Sequence, residues 1–65
     1  MLTHREKMIH GEQIAEVAGR DLDPIRAVSE RSLKLGRLHG WNTDETLQVS
    51  LMALRILVEA NPSLG

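Results

Sequence analysis

Glu6 and His10 stand one helical turn apart, with His4 beside them, and are the first residues in this chain whose types and spacing could do chemistry. A carboxylate and an imidazole on one helix face can share a divalent cation. A structural zinc takes four ligands, however, and the sequence has no cysteine to complete the set. Such histidines are ordinarily solvated, so no metal is expected. Ser29, Ser32 and Ser50 have no recognisable nucleophile context. Asp21 and Asp23 read as turn and cap chemistry, and no glycine-rich phosphate loop is present. A small-molecule site of roughly 300 Å³ would consume most of the core that such a short chain can build. The chain is therefore expected to be non-enzymatic and to carry no cofactor.

Recognition suits the remaining candidates better. Trp41 is the one aromatic residue of the Phe, Tyr and Trp class, and His39 and Arg37 lie close by in sequence. Tryptophan and arginine dominate interface hot spots, so Arg37, His39 and Trp41 form a compact candidate patch for a partner protein. A tryptophan between two helices can also simply cap the end of a core. Arg26, Arg31 and Lys34 make a secondary basic surface. Residues 24–40 carry four basic side chains against one acidic, whereas residues 1–23 carry three against five and residues 41–65 one against three. A basic middle between acidic ends suits internal or intersubunit pairing at least as well as nucleic acid.

The elements that must position these residues are helices. β-Branched residues never alternate with polar ones, and the sequence predicts an all-α fold of three short helices. Thr3 and Glu6 form a capping-box pattern that starts a first helix over about residues 4–18, weakened at Gly11 and closed near Gly19. Asp23–Pro24 starts a second over about 24–39, and Gly40 supplies a left-handed stop. Asn42 and Glu45 start a third over about 43–60, ended by Asn61–Pro62. The short Gly40–Asn42 connection predicts an antiparallel hairpin of helices two and three.

The third helix carries the main structural inference. Leu47, Leu51, Leu54 and Val58 recur at spacings of four, three and four residues, while Val49, Met52, Ile56 and Leu57 add apolar surface outside that stripe. A helix apolar almost all round belongs inside something, and two short partners from the same chain are not expected to cover it. A chain of 65 residues has a marginal core and needs a staple. Disulfides are excluded, so homodimerisation through Leu47, Leu51, Leu54 and Val58 is the expected solution. Helix two offers a narrower seam of Ile25, Val28, Ser32 and Leu35. Arg55 is expected to pair with Glu59 one turn on.

Two resemblances bear on function. The helical hairpin over residues 24–60, with Trp41 in its connection and dimerisation expected, resembles the small phage-encoded anti-activators that block bacterial quorum-sensing regulators. That resemblance implies an inhibitor or regulator of a larger host protein, with Trp41 as the loop aromatic that engages it. The segment Gly19 to Val28 is similar to the turn and recognition-helix start of some winged-helix repressors, which implies a DNA-binding regulator using Arg26, Arg31 and Lys34. Against that alternative stand Asp21 and Asp23, placed where phosphates would approach, and the lack of wing strands. No apolar run approaches the roughly 20 residues of a membrane span. No signal-like segment opens the sequence, so a cytoplasmic setting is expected.

Overall fold

The computed structural model of the chain describes residues 1–64. Helices α1 (His4–Ala18), α2 (Pro24–His39) and α3 (Thr43–Ala60) are followed by a single 3₁₀ turn at Pro62–Leu64, with no strand among the described residues. Each helix begins where a side chain satisfies otherwise orphaned backbone amides. The Glu6 N–H donates to Thr3 Oγ1 (3.1 Å) while the Thr3 N–H donates to Glu6 Oε1 (2.9 Å). Asn42 and Glu45 make the same reciprocal pair at the start of α3, at 2.7 and 3.1 Å. Asp23 accepts from the Arg26 N–H at the start of α2 (3.3 Å), and Pro24 follows it at the first helical position.

The helix ends differ. Gly40 adopts φ 71°, the left-handed conformation that costs glycine little, and α2 stops there. The Trp41 N–H donates back to the Gly36 carbonyl (2.9 Å), so the chain reverses at once into α3. Gly19 stays right-handed at φ −61°, and the connection closes instead by tight bonds from Arg20 to Val17 and from Asp21 to Ala18.

Helix α3 is the hub. Its Val49, Ala53 and Leu57, spaced four residues apart, are buried against Ile14, Ala15 and Ala18 of α1 and Val28 of α2. Gly11 lies at the crossing of α1 with α3. A Cβ placed there would sit 3.0 Å from Met52 Cβ and 3.3 Å from the Ala53 backbone nitrogen. Gly11 thus costs helix propensity but permits the close approach of two backbones. The side chains of Lys7 and Gln48 are hydrogen-bonded across the same crossing. The Leu2 N–H donates to Glu45 Oε2 (2.6 Å), tying the chain's first residues to the start of α3.

The seam of α2 differs from expectation at one end. Val28, Ser32 and Gly36 are buried and Leu35 half-buried, but Ile25 keeps 47% of its surface exposed. The face of α3 used inside the chain also differs from the leucine stripe. Leu47 and Leu51 are exposed, and Leu54 and Val58 are half-buried. Ala53 presents little bulk, so α1 and α2 can both close on its side of the helix, where a leucine row would hold them apart. Arg55 and Glu59 approach only to 4.0 Å with both side chains exposed, a pair that contributes little. Among the described residues, no helix is long and apolar enough to cross a membrane.

Candidate functional site

Two features meet on the hairpin: an open apolar face between α2 and α3, and a cluster of rings at its turn. The face comes from helical rotation. Ser29, Leu33 and Arg37 follow one another at four-residue spacing on α2, beside the buried Val28, Ser32 and Gly36. On α3, Thr43, Leu47 and Ser50 follow at spacings of four and three residues beside Thr46 and Val49. The two rows flank a groove of about 330 Å³ whose lining is mainly apolar. Its floor is made of small residues, including Ser32 and Gly36. Gly36 is required there, because a Cβ would meet Thr46 Oγ1 at 2.6 Å. The Thr46 hydroxyl donates to the Asn42 carbonyl (2.9 Å), which holds it against α2.

Ser32 is 1% exposed, and its hydroxyl has no hydrogen-bond partner among the described residues. A buried, unpaired hydroxyl costs about 1–3 kcal/mol. Leu33, Leu47 and Leu51 each keep 55% of their surface exposed along the same face. Three large aliphatic side chains left in water on one side of so small a body form a patch rather than scattered exposure.

The ring cluster sits where α2 turns into α3. His39 stacks on Trp41 with centroids 5.5 Å apart and planes 19° apart. His10 of α1 meets Trp41 edge-on at 4.8 Å and lies 5.7 Å from the His39 ring. Trp41 is half-buried and packed against the core, so it closes the core's end while part of the ring lines the groove. Arg37 is exposed one turn before the cluster and lines the groove as well. The candidate contact residues Arg37, His39 and Trp41 are thus brought together.

His10 belongs to this cluster and not to the cation site with Glu6 that its one-turn spacing suggests. The docking of α1 on α3 turns its ring toward Trp41. Glu6 is instead held by the helix start, where bonds from the Thr3 backbone and hydroxyl keep its carboxyl below the ordinary glutamate value. Glu45 is lowered too, first by the Leu2 N–H and then by the Asn42 N–H. Among the described residues, no group of three or more His, Cys, Asp or Glu side chains is arranged to hold a metal ion.

The basic side chains of α2 are all exposed. Arg26 is engaged with Glu30 at 2.9 Å. Arg31, Lys34 and Arg37 have no acidic partner within 4.0 Å among the described residues. Helix α1 packs mainly on α3 and only lightly on α2, so α1 and α2 do not form a self-supporting helix pair. Comparison with protein families, characterised proteins and solved structures finds no match for this chain.

Proposed function

We propose that this chain is a non-enzymatic protein-binding module that works as a homodimer. In this reading it is a small inhibitor or regulator of a larger host protein such as a transcriptional activator, acting in the cytoplasm. The observation that carries the reading is the exposed row Leu33, Leu47 and Leu51 beside the small-residue groove. Fully burying a large aliphatic side chain contributes roughly 1.5–3 kcal/mol, a large share of a small domain's stability. An interface is the economical use of such a face. The leucine stripe Leu47, Leu51, Leu54 and Val58 is the dimer contact in this reading.

The turn at Trp41 supplies the second surface. Trp41, His39 and Arg37 combine a rigid aromatic with a charged group, the composition of an interface anchor. The resemblance of the hairpin to phage-encoded anti-activators points to the class of target, a quorum-sensing transcriptional activator. Titrating purified activators of that class with the dimer tests this. His39→Ala, which is exposed and spares the core, and Trp41→Ala should each abolish capture while the dimer persists. Unchanged capture by both variants removes the patch from the account.

A second reading has one observation in its favour: Arg31 and Lys34 on the exposed side of α2, without an acidic partner among the described residues, suit phosphates. Fluorescence anisotropy of labelled duplex DNA at low salt separates the two. Micromolar binding that weakens steeply with salt supports a DNA-binding regulator. No binding supports the protein-binding module.

A further inference from the structure

We infer that the α2–α3 face is self-complementary, so that a second copy lies on it with its α2 along this copy's α3. The inference rests on the dimeric reading above and specifies how the two copies meet. A two-fold interface must carry projection and recess on one patch, because each copy presents the same surface to the other. This face has both. Leu33, Leu47 and Leu51 project, and between them lies the groove of about 330 Å³ over Ser32, Gly36 and Ser50. A standard interface covers about 800 Å² of each partner. That is about one sixth of this chain's 4743 Å² surface, within what one face of a three-helix body offers.

Charge selects the pairing of helices. The outer edge of α2 carries Arg26, Lys34 and Arg37 against Glu30, whereas the outer edge of α3 carries Asp44 and Glu59 against Arg55. Setting α2 on the partner's α2 brings two basic edges together. Setting α2 on the partner's α3 brings a basic edge to an acidic one twice, once on each side of the two-fold axis. Lys34 and Arg37, with no acidic partner within 4.0 Å among the described residues, are the side chains left to make these contacts.

Charge reversal tests this, read by sedimentation equilibrium with helicity checked by circular dichroism. Reversing the α2 edge alone, Lys34→Glu with Arg37→Glu, should raise the dimer dissociation constant on the order of tenfold or more, since four charges change sign in each dimer. Adding Asp44→Lys and Glu59→Lys restores opposite edges and should recover most of that loss. A dimer indifferent to the first pair of substitutions, or not rescued by the second, overturns the crossed arrangement while leaving dimerisation standing. A native chain that is monomeric throughout overturns both.

Discussion

Substituting Gly11 by alanine should destabilise this protein, against the rule for glycine inside a helix. In an exposed helix the exchange stabilises by about 1 kcal/mol. At Gly11 the added carbon would lie 3.0 Å from Met52 Cβ, whereas carbon atoms settle at roughly 3.5–4.0 Å. Met52 Cβ cannot rotate away, because it is fixed to the α3 backbone, and the Ala53 nitrogen at 3.3 Å is backbone itself. Relief requires α1 to lift from α3, loosening Ile14, Ala15 and Ala18 in their contacts with Val49, Ala53 and Leu57. Overpacking of this kind costs about 1–3 kcal/mol, so the net effect is a loss centred near 1 kcal/mol. For a chain of this size that lowers Tm by about 4–8 °C. Thermal melts followed at 222 nm, at one fixed protein concentration, provide the assay. Gly11→Leu should cost more, since the carbons beyond its Cβ must also be accommodated at the crossing. A Tm raised by several degrees in Gly11→Ala would refute the close crossing of α1 with α3.

Other outcomes follow from the same contacts. Ser32→Ala removes a buried hydroxyl with no partner among the described residues and should raise stability by about 1 kcal/mol in denaturant titration; a clear loss would mean that the hydroxyl is bonded in solution. Gly40→Ala forces a left-handed backbone on a residue with a Cβ and should cost about 1–2 kcal/mol, with Gly40→Asn milder. The fold favours the ionised forms of Glu6 and Glu45, so their contribution is full above the ordinary value of 4.5 and is lost as pH falls through their lowered values. The fall of Tm from pH 7 to pH 3 should accordingly be shallower in Glu45→Gln, and an unchanged profile would count against that cap. Leu51→Asp should leave the helices intact and yield a monomer by light scattering; a monodisperse Leu51→Asp dimer would place the interface elsewhere.

The parts of this structure that were legible in the sequence are those decided within a few residues. Thr3 with Glu6, Asp23 with Pro24, Asn42 with Glu45, and Gly40 act on neighbouring backbone, and each does locally what its type dictates. The inside of α3 was not legible, because that helix is apolar on several sides and periodicity alone does not rank them. The deciding feature is the small size of Ala53 opposite Gly11, Ala15 and Ala18, a row of small residues on α1 that signals a close crossing. Gly11 read alone suggests only a weak helix. His10 could not be joined to Trp41 without knowing how α1 docks, since their proximity is created by tertiary contact. The grouping of Arg37, His39 and Trp41 was accessible because a helix end and a tight turn confine them.

Sedimentation equilibrium of the unmodified chain, from low micromolar to near-millimolar concentration, tests the central claim most directly. The account predicts a reversible shift from the 7.3 kDa monomer to a species of twice that mass, with the dimer prevailing in the micromolar range. A mass that stays at 7.3 kDa across the whole range would contradict it, and the exposed leucines of α2 and α3 would then need another explanation.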